Sequence, residues 1–191
     1  FWSHYYPLLR QALPGTLDDV SLDAFYRAVN TVAPTLVRLE ADEATYNLHI
    51  LLRFDIELDL VAGGVRTCDL PDLWRSKSKE YLGLEPPDDR TGVLQDIHWA
   101  VGLVGYFPTY ALGNLYGAQF MERMRRDLPD LDERLARGEL RAVKDWLNEH
   151  IHVHGRRWPA QDLCRRVTGE PLSAEPLMRH LREKYAGIYG I

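Results

Sequence analysis

The sequence lacks most features that would quickly assign a chain of 191 residues. Its two cysteines, Cys68 and Cys164, are too few for a disulfide framework at this size, and they read as reduced thiols of an intracellular, cytoplasmic protein. No apolar run approaches the ~20 residues that cross a bilayer. The greasiest window, residues 48–61, is interrupted by Asp55, Glu57 and Asp59, which excludes an integral membrane protein. Lysine and arginine never extend beyond pairs such as Arg125-Arg126, Arg156-Arg157 and Arg165-Arg166, and 23 basic against 28 acidic side chains leave a net charge of -5. A large nucleic-acid footprint is therefore not expected. There is no His-Glu dipeptide, hence no zinc-protease helix motif, and no Gly-x-Ser-x-Gly elbow, phosphate-binding glycine loop or dinucleotide fingerprint.

What is present is a globular composition, 46% hydrophobic and 27% charged, patterned as a series of helices. Trp2, Tyr5, Tyr6 and Leu9 recur at helical spacing up to Pro14-Gly15, with no initiator Met or basic leader before them, so an upstream partner segment is expected. Ser21 is an N-cap for a second helix burying Leu22, Phe25, Tyr26, Val29 and Val32. An extended stretch is expected at residues 37–39. Asp42 then caps a long central helix through Val61, ended by Gly63-Gly64. Asp69 before Leu70-Pro71 predicts a short helix to Gly83, residues 95–103 have helical character, and Pro108 opens another helix through Met124. Residues 131–135, 140–151, 160–167 and 173–189 complete the series, with glycines at the breaks. No segment alternates as a strand, and neither a repeat nor a second domain is visible, so the fold class is all-α.

Chemistry concentrates in residues 92–99 and 105–110. On a helix Gln95, His98 and Trp99 share one face, so that an amide, an imidazole and an indole converge as a ligand-facing wall, or pack as ordinary core. Arg38, in an apolar neighbourhood, needs a carboxylate partner such as Asp42 or Glu43, or an anionic ligand. His150, His152 and His154 invite a metal reading, but residues two apart on a helix lie on different faces, so the three cannot converge.

Gly92-x-x-Gln95-Asp96-x-His98-Trp99 is similar to the signature of the carboxypeptidase Taq family of thermostable metallocarboxypeptidases, and residues 105–114 resemble its next block. Arg38-x-x-Ala41-Asp42, with Val37 for the usual Ile, followed by Tyr46-Asn47-Leu48-His49-Ile50, resembles a third. The resemblance runs through residues 1–191 but covers only the C-terminal portion of such a catalytic domain. It implies half of a neurolysin- and angiotensin-converting-enzyme-like helical fold with a deep substrate groove. It also implies a homodimer, a peptide substrate, and zinc or cobalt held by a His-Glu-x-x-His helix and a glutamate lying upstream of Phe1. This chain would then bind no metal itself and be inactive alone. By the same resemblance Arg38 takes the substrate's terminal carboxylate, and His98 with Tyr106 or Tyr110 donates to the oxyanion or peptide backbone. Gln95 and Asp96 orient His98, and Trp99 lines the substrate site. The alternative is a non-catalytic helical module that binds peptides in the aromatic groove.

Overall fold

The computed structural model describes residues 1–191, and its regular structure is entirely helical. Nine α-helices follow one another: α1 (Trp2–Ala12), α2 (Leu22–Val29), α3 (Tyr46–Val61), α4 (Leu70–Leu82), α5 (Pro108–Asp127), α6 (Leu131–Ala136), α7 (Arg141–His150), α8 (Ala160–Thr168) and α9 (Glu175–Tyr189). The all-α class expected from the periodicity is the class observed, and no helix is long and apolar enough to cross a membrane. Local chemistry sets the boundaries. Ser21 Oγ accepts the Ala24 amide at 3.1 Å and caps α2. Asp42 Oδ1 accepts the Ala44 and Thr45 amides, both at 2.9 Å, and so closes the turn that feeds α3. Gly83, at φ 72°, turns the chain out of α4 in the left-handed conformation that a side chain would resist.

Two stretches depart from the sequence reading. Residues 38–40 form a 3-10 turn rather than an extended segment. Residues 95–103 do not form a helix: turns lead into a 3-10 turn at Trp99–Val101 that Gly102 ends at φ 79°. A helix would point Gln95, His98 and Trp99 the same way, whereas each is drawn to a different hydrogen-bond partner, and these tertiary bonds outweigh a weak local propensity.

The chain divides into two compact units, Phe1–Val29 with Asn114–Ile191, and Asn30–Gly113. In the first, Met124, Leu131, Trp146 and Val167 form a buried cluster flanked by Phe120, Leu128, Val143 and Leu163. Tyr6, buried in α1, packs its ring against Phe25 at 4.8 Å and donates to Val20 O at 2.6 Å. In the second, Leu52 and Ile56 of α3 pack on Trp74 of α4, with Leu60, Leu70 and Trp99 around them.

Candidate functional site

The second unit also buries charge. From Tyr46, α3 presents His49, Ile50, Arg53, Ile56 and Glu57 at spacings of three and four, a single face of the helix. All five are buried, and Arg53 is 0% exposed. Its guanidinium donates from Nε to Asp96 Oδ2 at 2.7 Å, from Nη2 to Gln95 Oε1 at 2.8 Å and from Nη1 to His49 O at 2.7 Å. It also lies over the Trp74 ring at 4.7 Å and the Phe107 ring at 5.3 Å.

Arg38 reaches the same carboxylate from the other side. Nη2 and Nε donate to Asp96 Oδ1 at 2.7 and 3.2 Å, and Nη1 donates to Tyr46 OH at 2.9 Å. Its partner is therefore Asp96, whereas its position in the sequence pointed to Asp42, Glu43 or an anionic ligand. Asp42 is occupied by the Ala33, Ala44 and Thr45 amides and the Thr45 hydroxyl. Two guanidinium groups share one carboxylate, so the Arg38–Asp96–Arg53 cluster carries a surplus positive charge. Burial opposes the charge on Asp96, but the Arg38 hydrogen bond and both cations win and hold its carboxyl below the usual range. Burial lowers Arg53 to about 10, against the pull of Asp96, and it stays protonated at neutral pH. His49 is pushed down to about 4 by burial and by the charges of Arg53 and Arg38, so it is a neutral imidazole.

Gln95 is fully spent on scaffolding. Its Oε1 accepts the Arg38 amide as well as Arg53, and its Nε2 donates to Leu36 O and Thr91 O at 3.1 and 2.8 Å. Trp99 donates from Nε1 to Glu57 Oε1 at 2.9 Å. His98 turns elsewhere: Nε2 and Tyr110 OH are 2.9 Å apart, its ring packs on Phe107 at 4.4 Å, and the Tyr106 ring stands 5.8 Å away. Its Nδ1 faces Asp96 Oδ1 at 3.8 Å, too far for a hydrogen bond. Tyr106 is 42% exposed, and the Tyr106 and Tyr110 rings meet edge to face at 5.5 Å. The structure thus assembles His98, Tyr106 and Tyr110 into one aromatic group resting on the Arg38–Asp96–Arg53 cluster, while Gln95 and Trp99 face inward.

Sequence reasoning missed Arg53, Tyr46 and Glu57. A signal was available, since charged residues at i, i+4 inside the most apolar helix need buried partners. The histidines near residue 150 are separately engaged: His150 stacks on Trp146 at 4.5 Å, His152 pairs with Asn148 Oδ1 at 3.0 Å, and His154 leans on Trp158 at 4.6 Å. Nowhere do three His, Cys, Asp or Glu side chains come together so as to hold a metal ion.

The family model of the carboxypeptidase Taq (M32) metallopeptidases matches residues 1–185. The chain belongs to that family. It is 49% identical over 190 residues to thermostable carboxypeptidase 1 of Thermus thermophilus, and 46% identical over 189 residues to carboxypeptidase 1 of Bacillus subtilis. These alignments take in 100% and 99% of this chain but 37% and 38% of the two relatives. The crystal structure of the M32 carboxypeptidase from Deinococcus radiodurans superposes with a TM-score of 0.96 at 40% identity, covering 100% of this chain and 38% of that one. The chain therefore spans under two-fifths of the length of the M32 proteins it matches.

Proposed function

We propose that these residues are the part of a metal-dependent carboxypeptidase that binds the substrate's C-terminus and stabilises the transition state as the last peptide bond is hydrolysed and a single amino acid is released. The observation that carries the reading is the surplus positive charge beside His98, Tyr110 and Tyr106. A peptide's free C-terminus is a carboxylate one residue from the bond to be broken, so an exopeptidase needs a cation and hydrogen-bond donors a few ångströms apart. Arg38 is the cation with the right fork, and burial beside hydrophobic rings strengthens its pull on an anion. His98 and the two tyrosines are the donors to the carbonyl oxygen as it gains charge. Asp96 anchors Arg38 through two nitrogens and sets a negative charge 3.8 Å from His98 Nδ1. Gln95 and Trp99 fix the loop between them.

In this reading the metal, zinc or cobalt, is bound by residues outside this chain, and this chain forms one wall of the substrate groove in a cytoplasmic homodimer. The test uses the complete natural protein that contains these residues, supplied with metal and given an N-blocked dipeptide either as the free acid or as its C-terminal amide. The free acid is cleaved and the amide is not. Replacing His98 with alanine lowers kcat by about 100-fold or more and changes KM far less, because an oxyanion donor acts mainly in the transition state. Equal cleavage of acid and amide, or an H98A effect confined to KM, overturns the assignment.

A further inference from the structure

Between Asp96 and Phe107 most apolar side chains face solvent, and Trp99 is the one that packs on the Leu52–Ile56–Trp74 cluster. Ile97, Val101 and Val104 are 69%, 58% and 53% exposed. The segment's own backbone bonds, such as Leu103 N–H to His98 O at 2.8 Å, give it shape but not position on α3. Its upstream end is fixed by the arginines through Gln95 and Asp96. Downstream, the contact is Glu57, four residues beyond Arg53 on the same face of α3 and only 3% exposed. One of its oxygens, Oε1, accepts both the Trp99 indole N–H and the Gly105 backbone N–H, each at 2.9 Å. The other, Oε2, is buried with no hydrogen-bond partner.

A carboxylate so far from water is costly, and two charge-assisted bonds to one oxygen are what offset that cost. Both donors flank the residues of the proposed chemistry: Trp99 follows His98, and Gly105 precedes Tyr106. Gly105 sits at φ 79°, so its amide bond to Glu57 fixes the turn from which the Tyr106 ring projects. We infer that Glu57 is a positioning residue that holds His98 and Tyr106 in register with Arg38, acting through Trp99 and Gly105. The inference rests on the hydrolytic role proposed for His98 and Tyr106.

The experiment compares E57A, E57Q and W99F in the complete natural protein by kcat and KM on the N-blocked dipeptide and by amide hydrogen exchange. E57A lowers kcat by up to about 100-fold with a smaller change in KM, the size of effect expected when reacting groups shift by about 1 Å. Exchange in residues 98–107 speeds up at least about tenfold while α7 and α8 keep wild-type protection. E57Q retains an acceptor oxygen and recovers most of the lost kcat. The E57Q and W99F effects are non-additive because E57Q weakens the charge-assisted bond that W99F removes. A folded E57A with wild-type kcat and wild-type exchange overturns the inference. Should E57A not fold, strictly additive E57Q and W99F effects overturn it. An inactive wild-type protein in which E57A still loosens residues 98–107 defeats the hydrolytic reading and supports the clamp.

Discussion

Around Leu131 and Trp146 the first unit buries methylene groups and rings; the Trp146 indole nitrogen donates to Asp127 at 3.0 Å, and the unit's buried polar side chains Gln119 and Thr168 are neutral and bond to each other. Around Arg53 the second unit buries two guanidinium groups, two carboxylates and an imidazole within one helix face and the loops against it. A hydrophobic cluster tolerates many arrangements of similar volume, so it stabilises without dictating the position of any one atom. A buried charge cluster yields little net stability, yet each donor accepts only a narrow geometry. The unit with the costly interior is also the one that carries the family motifs. The contrast indicates that the charge there sets positions rather than strengthening the fold.

The sharpest way to break the comparison is D96N. It preserves shape but leaves Arg38 and Arg53 without their counter-charge, and should cost about 3–5 kcal/mol while abolishing hydrolysis in the complete enzyme. Urea unfolding and turnover measured on the same sample check both; near-wild-type stability would mean the two cations are compensated elsewhere. Next in size is L131A in the first unit. This residue is 1% exposed, and its truncation should cost roughly 3 kcal/mol through lost burial and a residual cavity. Unlike D96N, it should leave kcat and KM unchanged at temperatures where the variant is folded.

The smallest effect is a pH dependence. Unfolded His49 takes up a proton near its ordinary 6.5, whereas the folded one does so only near 4. Between those values the unfolded state binds more protons, so stability is complete above pH 6.5, falls as the pH drops to about 4 and then levels off, a loss of no more than about 3 kcal/mol. Asp96 adds a separate loss at lower pH: its folded value lies below 3.8, and the stability it contributes disappears as the solution is acidified through that folded value. Unfolding midpoints of wild type and H49N between pH 7.5 and 4 should converge on acidification. Parallel curves would show that His49 is not the group titrating in that window.

The same division separates what was readable in advance. Helix boundaries followed from short-range chemistry: Ser21 caps α2, Pro108 opens α5, and Gly83 and Gly169 end α4 and α8. The three family motifs were legible as residue order, and the structure brings their Arg38, Gln95, Asp96, His98, Tyr106 and Tyr110 into one neighbourhood. The arrangement inside that neighbourhood was not legible. Arg38 has three acidic neighbours within five residues, Glu40, Asp42 and Glu43, and proximity alone favours them, but it binds Asp96, 58 positions away. Gln95, His98 and Trp99 have helical spacing, but the loop abandons the helix because Arg53, Tyr110 and Glu57 each draw one of them in a different direction.

The sequence by itself thus determined the all-helical architecture, its punctuation by glycine and proline, and the family, because these depend on neighbours a few positions apart and on residue order. Only the tertiary structure decided which charges share a carboxylate, which imidazole is buried neutral and which side chain holds the 97–106 segment. Those outcomes depend on desolvation and on bonds between residues about 40 to 60 positions apart, such as Arg53 with Asp96 and Glu57 with Gly105. Until folding removes water from such groups, nothing in their local sequence distinguishes a solvated charge from one that organises a site.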